Sequence, residues 1–115
     1  MDDCLFCKIN RGDIPANKVY DGEDVFAIED INPQAPVHLL IIPKKHLSTL
    51  LDIEENDFAM IGSIFGVAGE LAAERKLEAS GFRVVSNCGA GAGQSVFRSK
   101  KLAPLGADLD TRHLS

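Results

Sequence analysis

A chain of 115 residues with 45% hydrophobic and 25% charged side chains has the size and composition of one globular domain with its own core. Twelve Lys and Arg against seventeen Asp and Glu leave a formal net charge of −5, which excludes the broad basic face of a general nucleic-acid binder. No apolar run is long enough to span a bilayer, the start Met1-Asp2-Asp3-Cys4 lacks a basic-then-apolar signal, and three cysteines in that context read as reduced thiols of a cytoplasmic protein.

Cys4-Leu5-Phe6-Cys7 is a single CxxC. Two thiolates at this spacing can share a zinc ion, but a tetrahedral site needs two more ligands. The motif therefore reads either as half a metal site or as two half-buried cysteines. Arg11-Gly12-Asp13 reads as a turn ahead of Ile14-Pro15. Lys18-Val19-Tyr20 and Val25-Phe26-Ala27-Ile28 read as paired strands, and Asp21-Gly22 between them predicts a type I′ turn with positive φ. Asp30-Ile31-Asn32-Pro33 ends the second strand, because proline donates no ladder bond. Asp30 is thereby placed either to accept hydrogen bonds from a ligand's hydroxyls or to close the turn onto backbone N–H groups.

Val37 to Pro43 is nearly continuous in apolar residues, which predicts a central strand covered on both faces. His38 inside that run reads as a satisfied core histidine rather than a catalyst. His46, beyond the strand and in polar company, is the better candidate ligand, and Lys44-Lys45 reads as a solvated corner. Asp52-Ile53-Glu54-Glu55 has the pattern of a capping box. Phe58, Ile61, Phe65, Ala68, Leu71 and Ala72 then recur at helical steps, predicting one apolar face on a helix that runs to about residue 76. Gly62, Ser63, Gly66 and Gly69 lie opposite. Each glycine weakens a helix by ~1 kcal/mol relative to alanine, so these predict either a closely packed second subunit or a weak helix held by its core face.

Gly81 to Asn87 alternates towards a strand and delivers the chain into Cys88-Gly89-Ala90-Gly91-Ala92-Gly93-Gln94-Ser95. Glycines let backbone N–H groups approach an anion closely, and Gln94 and Ser95 add directed hydrogen bonds. From Gly89 to Ser95 the chain reads as an anion-facing loop, or else as a flexible turn between strands. Ser95 to Phe97 reads as the start of a further strand, and paired strands on either side of one helix give class α+β, an antiparallel sheet with one long helix packed on it.

The segments CLFCKINRGDIPA, DINPQAPVHLLIIPKKH and NCGAGAGQSV closely resemble the histidine triad (HIT) proteins of the Hint branch, small purine-nucleotide phosphoramidases. The resemblance covers about residues 4 to 97 and rests on three motifs in the right order. It implies a homodimer with a nucleoside monophosphate site on each subunit. Position by position it implies a base pocket lined by Phe6, Ile28 and Ile31, ribose hydroxyls held by Asp30, and a phosphate and leaving group facing Asn87, Gly93, Gln94 and Ser95. In zinc-containing members it implies Cys4, Cys7 and His46 as ligands, joined by one triad histidine.

The family's His-x-His-x-His strand should follow Phe97, but the chain there reads Arg98-Ser99-Lys100-Lys101-Leu102-Ala103-Pro104. Arg98, Lys100 and Leu102 stand in the three histidine places, with Lys100 in that of the nucleophile. Residues 1–97 are thus expected to form a HIT-like domain and residues 98–115 a divergent tail, by natural divergence or by a change of reading frame. The expected function is purine nucleotide binding with hydrolysis impaired or lost. An active hydrolase or transferase using Ser95 and Lys100, and a non-enzymatic dimeric interaction protein, are the alternatives. No cofactor is expected to be required. With Arg98 in the fourth ligand place, zinc is expected to be absent or weakly held, since a charged guanidinium does not bind metal.

Overall fold

The computed structural model describes residues 5–30, 35–86 and 105–111. Helix α1 (Leu5–Arg11) precedes strands β1 (Lys18–Asp21), β2 (Val25–Glu29) and β3 (His38–Pro43). Two 3-10 turns, Leu50–Asp52 and Glu55–Asp57, lead into α2 (Phe58–Glu74), and β4 (Arg83–Val85) and β5 (Ala107–Asp110) complete the order. The strands form one five-stranded sheet in the order β1-β2-β3-β5-β4, every pair antiparallel. The class is α+β, with one long helix on an antiparallel sheet, as the pattern of elements predicts.

The period-2 alternation of strand side chains divides the core into two clusters. Val25, Ala27, Leu39, Ile41, Ala107 and Leu109 face α2 and meet Ile64, Val67, Ala68 and Leu71. Phe26, Ile28, Leu40 and Ile42 point the other way, onto Phe6 and Ile9 of α1. All six residues of β3 are buried because the strand is sandwiched between the two clusters. Its continuous apolar run follows from that position.

Three local expectations are corrected. The apolar face assigned to α2 is rotated: Ile64, Val67, Ala68, Leu71 and Ala72 are buried, while Phe58 and Phe65 are each 62% exposed. The helix is apolar almost all round, so three- and four-residue steps fit more than one face, and the sheet selects the face bearing Ile64 and Val67. The capping box does not start α2 at Asp52. Asp52 instead accepts from the N–H groups of Ser48 and Thr49 in the first 3-10 turn, and α2 begins at Phe58. Gly22 does not carry the positive φ of a type I′ turn. A Cβ there would lie 2.7 Å from the Tyr20 ring, so glycine is required for close approach rather than for handedness.

Two elements were not predicted at all. In α1, Phe6 and Ile9 bury one face, and the helix stops at Gly12 with φ +87°. Gly12 N–H donates to Ile9 O and Asp13 N–H to Lys8 O, the paired bonds of a Schellman cap. The other unpredicted element is β5, which lies in the stretch read as a divergent tail yet sits inside the sheet between β3 and β4. Among the described residues no helix is long and apolar enough to cross a membrane.

Candidate functional site

The polar groups gather on the sheet face that α2 does not cover. Asp30 follows β2, and its N–H donates to His38 O, which fixes the strand end beside the start of β3. Its Oδ2 lies 3.3 Å from His38 Nε2, with the two side chains only 4% and 3% exposed. The same Nε2 lies 3.2 Å from Asp108 Oδ2, whose side chain is 33% exposed. Beside them Arg83 Nε donates to Asp110 Oδ1 at 3.0 Å, the carboxylate being fully buried. Arg83 and His38 are both register partners of Asp110, one on each side of β5. Three carboxylates, one imidazole and one guanidinium thus share one patch. His38 is satisfied within the core, as its apolar setting suggests.

Burial pushes the Asp108 carboxyl up from the ordinary carboxylate range. The His38 hydrogen bond acts against that rise, and the charges of Asp30 and Asp110 add to it. Both aspartates of β5 were missed as site residues. Their signal is the alternation Ala107-Asp108-Leu109-Asp110, which places two apolar side chains on the helix face and two carboxylates on the other.

A second polar pair lies at the foot of α1. Cys7 Sγ is 3.3 Å from His46 Nδ1, and both line a small pocket with Phe6, Asn10, Phe26 and Lys44. Burial lowers the His46 pKa, which favours the neutral ring. A thiol and a neutral imidazole are donor types that zinc takes, so the pair fits as two of four ligands. Cys4 lies outside the described residues. Among the described residues no group of three or more His, Cys, Asp or Glu is placed to hold a metal ion.

Phe6 borders that pocket, and Ile28 is buried in the same apolar cluster, 1% exposed. Ile31, Asn87, Gly93, Gln94, Ser95, Arg98, Lys100 and Leu102 lie outside the described residues. The chain leaves β4 towards Asn87 through Ser86, whose hydroxyl donates to Gly106 O at 2.9 Å. The two lysines after β3 are not a loose corner. Lys44 Nζ reaches Asp21 at 2.8 Å, and Lys45 Nζ reaches the buried Asp57 at 2.7 Å. The Lys45 hydrogen bond lowers the Asp57 pKa, and the Asp57 bond raises that of Lys45.

Comparison with known proteins gives consistent matches. The family model described as scavenger mRNA decapping enzyme C-term binding matches residues 3–98. Protein HitA of Neisseria gonorrhoeae is 40% identical over 97 residues, which are 84% of this chain and 90% of that protein. The crystal structure of a HIT family hydrolase from Legionella pneumophila superposes with a TM-score of 0.84 at 40% identity, covering 94% of this chain and 91% of that one. A HIT family hydrolase from Clostridium thermocellum gives 0.86 at 38%, covering 96% and 90%.

Proposed function

The chain belongs to the histidine triad family, and from that premise we propose that it is a cytoplasmic purine nucleotide-binding protein, of the AMP type, whose hydrolytic activity is impaired or lost. The observation that carries this reading is where the pattern stops. Asp30 and residues 87–95 fall within the family match, which runs to residue 98, while the three histidine places hold Arg98, Lys100 and Leu102. Binding groups are retained and the nucleophile is not. In this reading Phe6, Ile28 and Ile31 line the base pocket, Asp30 serves the ribose, and Asn87, Gly93, Gln94 and Ser95 serve the phosphate. Titration calorimetry with AMP tests it: binding at or below millimolar concentration is expected, and no heat at that concentration sinks it.

The reading includes a homodimer formed through α2. Phe58, Gly62, Phe65, Gly66 and Gly69 share one uncharged helix stripe by their 100° spacing, and both phenylalanines are exposed. Among the described residues a Cβ at any of these three glycines would meet nothing within 4 Å, so none of them occupies the space these glycines leave. Sedimentation at micromolar concentration should give twice the 12.4 kDa chain mass, and a monomer refutes this part. The same stripe is what favours the second reading, a non-enzymatic interaction protein, should AMP fail to bind.

For zinc, Cys4, Cys7 and His46 would be the ligands, and the ion would tie the N-terminal helix to the segment after β3. With an arginine in the fourth place, purified protein is expected to hold well under one zinc per chain. Metal analysis near one equivalent would overturn that.

A further inference from the structure

We propose that Asp108 is a second carboxylate of the ribose subsite: it accepts one hydroxyl of the ribose cis-diol while Asp30 accepts the other, so that the site selects ribonucleotides over their deoxy counterparts. The proposal rests on the nucleotide-site reading above and deepens it. Strand register places Asp108 there. Ile28 of β2 pairs with Leu40 of β3, and Leu40 pairs with Asp108 of β5. Directly paired residues put their side chains on one sheet face, so these three form a row on the face that packs against Phe6. Two residues along from Ile28 and Leu40 lie Asp30 and His38, joined by the bond from Asp30 N–H to His38 O. A base that rests on Ile28 with its ribose at Asp30 therefore brings the sugar alongside Asp108.

The side chains converge as well as the strands. Asp30 Oδ2 and Asp108 Oδ2 lie 3.3 and 3.2 Å from one atom, His38 Nε2. Two carboxylates that share a neighbour atom present their acceptors side by side. The 2′ and 3′ hydroxyls of ribose project side by side from one edge of the sugar ring, and both are donors.

Asp108 also has an acceptor to offer. Its Oδ2 faces His38, and its Oδ1 makes no hydrogen bond among the described residues. Its side chain keeps 33% exposure, against 4% for Asp30, so it is the carboxylate of the pair with more surface for a ligand. An ionised carboxylate only accepts hydrogen bonds, and a hydroxyl that donates to it forms a charge-assisted bond. A nucleotide without that hydroxyl leaves a partly buried acceptor covered and unmatched. The cost of the unmatched acceptor is what makes such a site discriminate.

The test is an NMR titration of the intact chain and of Asp108→Ala with AMP, 2′-deoxy-AMP and 3′-deoxy-AMP. The wild-type chain should bind each deoxy analogue roughly tenfold more weakly than AMP. In Asp108→Ala, AMP should weaken by about tenfold, and one of the two analogues should then bind as well as AMP, because the hydroxyl it lacks has lost its acceptor. The other analogue should keep its penalty, which Asp30 imposes. A merely structural role for Asp108 would weaken all three ligands alike and leave their ratios unchanged. Unchanged ratios in Asp108→Ala, or either analogue binding the wild type as tightly as AMP, overturn the proposal while leaving the nucleotide-site reading intact. No binding of AMP to the wild type overturns both. Where Asp108→Ala does not fold, Asp108→Asn keeps an oxygen for His38 and gives up the charge. The same ratio should then shrink by less, and a ratio that does not shrink overturns the proposal.

Discussion

Hydrolysis of adenosine 5′-phosphoramidate by this chain is expected to run roughly four or more orders of magnitude below that of a triad-bearing HIT hydrolase, the scale of loss seen when a covalent nucleophile is removed. Lys100→Ala is expected to leave the residual rate unchanged. An imidazole is uncharged often enough near neutral pH to attack phosphorus, and its adduct is then labile to water. A lysine amine has an unperturbed pKa of about 10.4 and is mostly protonated. A lysine phosphoramidate would also reproduce the bond type of the substrate without imidazole as the leaving group. His38 is no substitute. Its side chain is 3% exposed, and its Nε2 is held between Asp30 and Asp108, so it cannot reach a phosphorus atom without uncovering the cluster. A single-turnover assay of both proteins decides the question. Turnover that disappears in Lys100→Ala would show a working enzyme in which lysine has taken the histidine's place.

The parts of the fold that were legible in the sequence are those whose cause is local. Val37 to Pro43 announced a central strand because burial on both faces demands an unbroken apolar run, and all of β3 is buried. Asp30 announced a strand end because Pro33 follows so closely. The parts that were not legible depend on partners far along the chain. His38 meets Asp108 across 70 residues, and Arg83 meets Asp110 across 27, so neither cluster leaves a spacing signature. Phe58 and Phe65 were misplaced because a helix apolar on all sides does not say which face the sheet will choose. Strand β5 was hidden for a different reason. Four alternating residues carry little weight in a stretch where the family pattern has already been lost, although Ala107 and Leu109 fit the core well enough to be 5% and 0% exposed.

Arg83→Leu is expected to destabilise the protein by about 3 kcal/mol, the lower end of what removing one partner of a buried ion pair does, because Arg83 keeps 23% exposure. The loss does not come from the attraction alone. Asp110 is fully buried, and without the guanidinium at 3.0 Å its carboxylate loses a charged donor in a place where water cannot replace it. Two further variants separate this cause from simple loss of packing. Arg83→Lys keeps the charge but not the planar donor group and should fall between wild type and leucine. Arg83→Leu combined with Asp110→Leu removes both charges and should recover much of the loss, since a buried pair exchanged for apolar side chains is often close to neutral. Urea unfolding midpoints measure all three, and the account is falsified if the double substitution is no better than Arg83→Leu alone. The effect reaches beyond stability, because β5 is held by β3 on one side and by the three residues of β4 on the other. Asp110 and Asp108 lie two apart on the same strand face. A β5 loosened at Asp110 therefore carries Asp108 away from His38 Nε2.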